Sequence, residues 1–234
     1  MINAKDVDQG VPSITALVPM KGHSERVPGK NLRAMCNKPL FYWILNALSK
    51  SKFIDRIVVN TDSLEITRET TALFDVTIID RPVHLQGDYF VANDLIAYDL
   101  AQFPDADYFL QTHSTNPLLK TETIDRAIEA FFRQNKHDSL FSVTELHTRL
   151  YWSVGTPVNH DPSKLTRTQD LEPIYEENSC LYIFSRESFN TKKNRIGESP
   201  MMFPIDRFEA VDIDEEYDFI LAESILSARL GKSE

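Results

Sequence analysis

Cysteine is nearly absent from this chain. Cys36 and Cys180 are the two in 234 residues, and they do not form a CxxC pair. That excludes a disulfide scaffold and a cysteine-ligated zinc site, and it suits a reducing compartment. Long apolar runs are missing too: none approaches the ~20 residues a membrane-spanning helix needs. The opening "MINAKDVDQG" carries acids and no apolar core, so no signal peptide is expected. The expectation is a soluble, cytoplasmic protein with no membrane partner. Positive charge is scarce, with 25 Lys and Arg against 35 Asp and Glu and a net charge of −10. A broad nucleic-acid-binding face needs a basic footprint, so no nucleic-acid partner is expected. The six histidines include no HxH or HxxxH pair, and neither GxSxG nor a cysteine-nucleophile motif occurs. There is no internal repeat and no low-complexity tract.

What is present is an alternation. Short apolar runs at 13–20, 55–63, 76–82, 107–115 and 139–146 read as strands. Helical spacing appears at 39–51, 63–74, 93–103 and 120–135, with Ser63 as an N-cap. Strand–helix alternation predicts an α/β fold with a mainly parallel sheet, and right-handed crossovers put helices on both faces. The length suits one domain over 1–234. Ligands of such sheets bind at the carboxyl ends of the strands. The polar runs at 21–33, 60–63, 80–94, 111–117 and 145–152 would share that edge. Residues 147–190 break the pattern: prolines and polar groups dominate until "SCLYIFS" (179–185) returns as a strand. An excursion that long is expected to serve substrate binding or an oligomer contact. A last helix is expected over 215–230, with Phe219, Ile220, Ala222, Ile225 and Leu226 apolar.

Five segments carry candidate chemistry. In an acidic chain, "PMKGHSERVPGKNLR" (19–33) concentrates Lys21, Arg26, Lys30, Arg33 and His23 after the first strand. It lacks GxxxxGK[ST] and GxGxxG, so it is neither a Walker A loop nor a dinucleotide fingerprint. Gly22 and Gly29 permit unusual dihedrals, and three cations on a folded-back loop suit a triphosphate. A helix N-terminus would add to such a site, and a solvated basic loop is the other reading. "AVDIDEEYD" (210–218) places Asp212 and Asp214 on one face of an extended segment, a pattern that suits Mg²⁺. The other reading has Asp214 capping the last helix. "RPVHLQGDYFVANDLI" (81–96) offers Arg81, Asp88 and Asn93, with Asn93 a possible helix cap. "LQTHSTNPLL" (110–119) ends a strand at Gln111. "TRTQDLEPIYEEN" (166–178) supplies Arg167, Gln169, Tyr175 and Asn178, polar types suited to a sugar or its carboxylate.

Taken in this order, the segments resemble the acylneuraminate cytidylyltransferase family of CMP-sugar synthetases, relatives of the synthetase that activates the eight-carbon acid KDO. Lys21, Pro28, Lys30 and Asn31 resemble its N-terminal signature, and "RPVHLQGD" its Arg-Pro…Asp element. "LQTHSTNPLL" resembles its Gln-containing strand end, "TRTQDLEPIYEENSCLYIF" its Arg-Gln-Asp-Leu block and "VDIDEEYDF" its metal motif. The likeness spans about 13–228. The departures are Met20-Lys21 where Ala-Arg is usual, Ser24-Glu25 for Ser-Lys, Asn178-Ser179-Cys180 for Asn-Gly-Ala, and "THSTNP" for "PTSP".

The resemblance implies a three-layer α/β/α, Rossmann-like nucleotidyltransferase fold. It also implies the transfer of CMP from CTP to a 2-keto, sialic-acid-like sugar acid, with release of pyrophosphate. Lys21, Arg26 and Lys30 would hold the triphosphate and, with Asp212, act in catalysis; Asp212 and Asp214 would hold Mg²⁺. Asn31, Arg81 and Asn93 would contact cytidine. Gln111, Arg167, Gln169 and Asn178 would face the acceptor, with Arg167 on its carboxylate. The excursion at 147–190 resembles the family's dimerisation region, implying a homodimer. Two other readings stand beside this one: a nucleotidyltransferase of the same fold acting on KDO or a sugar phosphate, and a nucleotide-binding homologue without catalysis.

Overall fold

Seven strands form one sheet in the order β5-β4-β1-β6-β8-β7-β9. They are β1 (Ile14–Met20), β4 (Ile54–Thr61), β5 (Thr77–Asp80), β6 (Tyr108–Thr112), β7 (Ser139–Leu146), β8 (Ile174–Ser185) and β9 (Pro200–Pro204). The structure is a computed structural model and describes residues 11–87, 91–133 and 136–231. The N-terminal ten residues and Asp88, read above for targeting and for the Arg-Pro…Asp element, lie outside these. β8 is antiparallel to both of its neighbours, and every other pairing in the sheet is parallel. The carboxyl ends of β1, β4, β5, β6 and β7 therefore share one edge, as expected.

The layers follow from strand alternation. Ala16, Val18 and Met20 of β1 face α1 (Leu40–Ser49) and α4 (Thr121–Arg133), where Phe41, Ile44, Ile124 and Ile128 pack. Leu17 faces the other way, into Ile96 and Leu100 of α3 (Ala92–Gln102) and Phe189 of α5 (Arg186–Lys192). The result is the expected three-layer α/β/α arrangement. α2 (Leu64–Leu73) starts where expected, with Ser63 Oγ accepting from Ile66 N at 3.3 Å. α6 (Glu216–Leu230) buries Phe219, Ala222 and Leu226 against Val27, Met35 and Ile213. Ile220, expected on its apolar face, is 58% exposed instead.

Other features depart from the sequence reading. A hairpin, β2 (Ala34–Met35) and β3 (Lys38–Pro39), stands between the first loop and α1. Its turn residues Cys36 and Asn37 both have positive φ, 47° and 64°, the requirement of a tight two-residue hairpin. α5 and the edge strand β9 also went unanticipated. The irregular excursion ends at Ile174, where β8 begins; from Tyr151 to Asp170 it is almost wholly exposed. No helix of the described residues is long and apolar enough to cross a membrane.

Candidate active site

The loop at 21–33 closes on itself and on three strand ends. Asn31 is buried and donates from Nδ2 to the Lys21 carbonyl at 2.8 Å, while Ser114 Oγ, beyond β6, donates to Asn31 Oδ1 at 2.5 Å. The Gly22 amide donates to Asp62 Oδ1, beyond β4, at 2.7 Å. The backbone approaches so closely there that a Cβ on Gly22 would sit 2.9 Å from the Ser63 Cβ. Gly29, at φ 63°, turns the chain into a single 3-10 turn over Lys30–Leu32. The first α-helix starts only at Leu40, beyond the hairpin, and its first amide donates to the carbonyl of Arg33 at the loop's far end, at 2.9 Å.

Those cations meet the acidic segment near the chain's end. Arg26 donates to Asp214 at 2.8 Å and to Glu215 at 3.2 Å. Lys30 Nζ donates to the Ile213 carbonyl at 2.5 Å, and burial lowers the lysine's pKa. Ile213 N in turn bonds the Thr115 carbonyl at 3.0 Å, pinning the segment to the end of β6. Asp214 does not cap α6. Glu215 is the N-cap, in a capping box with Asp218, whose Oδ2 also accepts from Asp214 N at 3.0 Å.

A cavity of about 390 Å³ opens between these pieces. Lys21, Arg26, Lys30 and Asp214 line one side of it, Arg81 and Asp99 another, and Gln111 and His113 the end of β6. The sequence did not single out Asp99 or Asn60. Asn60 donates to Asp99 at 2.5 Å and accepts from Arg81 Nε at 2.8 Å. Burial pushes the Asp99 carboxyl up to about 7, against the pull of Asn60 and Arg81.

Seven of the expected residues thus line one cavity: Lys21, Arg26, Lys30, Asn31, Arg81, Gln111 and Asp214. Asp212 stands behind Asp214 with Oδ1 buried and without a hydrogen-bond partner among the described residues. Burial raises its pKa, with Thr115 and Lys30 pulling the other way. Asp212 is outside the lining, and so are four more expected residues. Asn93 sits inside the first turn of α3 and does not cap it; the N-cap is Val91. Asn178 is spent on the irregularity in β8, accepting from Ser142 at 2.6 Å and donating to Thr144 at 3.1 Å. Arg167 and Gln169 stand exposed on the excursion, Arg167 on Asp170 at 2.6 Å.

Asp212 and Asp214 meet the test for a hard cation. Mg²⁺ takes one or two carboxylates and completes its shell with phosphate oxygens and water. An orphaned buried carboxylate oxygen beside a cavity-facing carboxylate offers that much. Among the described residues no cluster of three or more His, Cys, Asp or Glu could form an all-protein metal cage.

The profile of a family described as "Cytidylyltransferase" matches residues 15–228. An N-acylneuraminate cytidylyltransferase of Streptococcus agalactiae is 26% identical over 87% of this chain, and the chain spans about half (51%) of that relative's length. A CMP-N,N'-diacetyllegionaminic acid synthase of Legionella pneumophila is 28% identical over 91% of this chain and 96% of its own. Among solved structures, a CMP:2-keto-3-deoxy-manno-octonic acid synthetase complexed with CTP superposes at a TM-score of 0.68. It shares 12% identity over 93% of this chain and 99% of its own, a likeness of fold.

Proposed function

Because the chain belongs to the cytidylyltransferase family, we propose that it transfers CMP from CTP to a 2-keto sugar acid of the sialic or legionaminic type, releasing pyrophosphate. One observation carries the reading: Lys21, Arg26 and Lys30 of the loop after β1 line one side of a cavity of about 390 Å³ together with the Asp214 carboxylate. A triphosphate bridged to a cation needs both partners there.

The chain's own residues divide the work. Lys21, Arg26 and Lys30 bind the triphosphate and neutralise charge on the departing pyrophosphate. Arg26 leaves Asp214 for phosphate as ligand enters. Asp212 and Asp214 would hold Mg²⁺, which when bound polarises the α-phosphate and eases deprotonation of the attacking hydroxyl. Arg81 lies at the cytidine end, and Gln111 receives the acceptor. The strand ends and the closed loop hold these groups still, which is what an in-line displacement asks of a protein.

Two further readings rest on less. The excursion exposes Tyr151, Trp152, Val154 and Leu165. A second copy covering them would make a homodimer and would bring Arg167 and Gln169 to a neighbour's cavity. Free thiols at Cys36 and Cys180 favour the cytoplasm.

The deciding assay follows pyrophosphate release with CTP, UTP, GTP or ATP against a panel of 2-keto sugar acids and sugar phosphates, with Mg²⁺. CTP with a 2-keto acid is expected to be the productive pair. Turnover with sugar phosphates, or without preference for CTP, would favour another acceptor or nucleotide and defeat the reading.

A further inference from the structure

A hydrogen-bond relay with a chemically forced direction runs from the segment between α5 and β9 into the cavity. Arg195 donates through Nη1 to Gln111 Oε1 at 2.5 Å. Its guanidinium lies 3.5 Å from the centroid of the Tyr182 ring, and Tyr182 donates its hydroxyl to Glu177. A guanidinium has donors and no acceptor. The Gln111 amide must therefore turn its oxygen to Arg195 and its nitrogen to His113, whose Nε2 is 3.0 Å away. That nitrogen offers only hydrogens, so His113 Nε2 is the acceptor and the ring proton sits on Nδ1. Burial, helped by the Arg195 and Lys30 charges, holds the imidazole neutral, its pKa pushed down to about 4.

Gln111 and His113 both line the cavity. Each keeps one N–H that no described residue accepts: the second amide hydrogen of Gln111 and Nδ1–H of His113. Two neutral donors in front of a half-buried guanidinium suit a small anion, because they offer hydrogens and positive potential with little water to screen them. We propose that Gln111 and His113 receive the carboxylate of the acceptor, with Arg195 as the positioning residue that sets the orientation of both. Arg167, which the resemblance assigned to that carboxylate, is occupied by Asp170 on the exposed excursion. The inference rests on the reading of the acceptor as a 2-keto acid.

Two measurements test it. In ¹⁵N-histidine NMR of the full chain at neutral pH, His113 is expected with Nδ1 protonated and Nε2 bare. Arg195→Met should erase that bias, and Arg195→Lys should partly restore it. In steady-state kinetics, Arg195→Met and His113→Phe should each raise KM for the 2-keto acid about tenfold to a hundredfold and leave KM for CTP unchanged. The amide of the same acid should bind wild type and variants alike. If Arg195→Met fails to fold, His113→Phe and the wild-type spectrum carry the test. An Nε2-protonated His113 would overturn the proposal. So would variants with unchanged KM for the acid, or a raised KM for CTP, which would give the donors to a phosphate. Absence of CMP transfer from wild type to every 2-keto acid would overturn the parent reading and this one with it. Transfer with unaffected variants overturns only this one.

Discussion

Arg26 and Asp214 form an ion pair at 2.8 Å across 188 residues of sequence. Each neutralises the partner that a nucleotide and its cation would want. Both side chains are more than half exposed, at 57% and 53%, so the pair adds little to stability and separates easily. It reads as a latch between the two halves of the site.

Removing the carboxylates should separate catalysis from folding. Asp214→Asn and Asp212→Ala are expected to lower kcat about a hundredfold or more, as lost charge stabilisation does, with melting temperatures close to wild type. Mg²⁺ titration of the residual rate should need higher metal. Wild-type turnover in either variant would remove the metal assignment.

Lys30 is the loop cation held most firmly, through its 2.5 Å bond to the Ile213 carbonyl. Lys30→Met should cost about 10²–10³-fold in kcat and raise KM for CTP. A change confined to the acceptor's KM would place Lys30 elsewhere.

Asp99 should leave a mark on stability against pH. Its folded pKa, about 7, lies above the ordinary carboxylate value. The folded state therefore holds that proton more tightly than the unfolded chain. Its stabilising contribution is complete below about pH 4 and lost as pH rises through about 7. Asp99→Asn should escape this loss, gaining on the order of 1–4 kcal/mol over wild type between about pH 4 and pH 8. Parallel unfolding curves for the two proteins across that range would show that Asp99 does not titrate high.

Gly22→Ala puts a methyl 2.9 Å from the Ser63 Cβ. Either the loop or the end of β4 must move. A loss of about 1–3 kcal/mol in urea unfolding is expected, with KM for CTP raised because the loop shifts.

Sedimentation tests the excursion. Wild type should run as a dimer, and Trp152→Ser with Leu165→Ser, at side chains 64% and 94% exposed, should shift it toward monomer. A wild-type monomer at micromolar concentration would set the homodimer aside.

Periodicity and local chemistry sufficed for the alternating frame. The apolar strands and the helical spacing of Leu40, Phe41, Ile44, Leu45 and Leu48 announce themselves, because burial on one face imposes its own repeat. The elements that escaped are those without such a repeat. The β2–β3 hairpin turns on Cys36 and Asn37 with no glycine to flag it. β9 begins and ends in proline, tolerated because it is the sheet's edge strand.

The residue types of the site were likewise readable in order along the chain, since anion and cation binding demand particular side chains. What they face was not. Only the folded chain brings Arg26 to Asp214, sets Asn31 and Asn178 to holding backbone and strand in place, and turns Arg167 toward Asp170. Arg195 shows the limit most plainly: it lies in an irregular segment with no motif around it, 84 residues from Gln111, and only the packing of β8 beside β6 brings the two together. Local sequence carries periodicity and chemical type, whereas a contact between distant residues is decided by how the whole sheet closes its core.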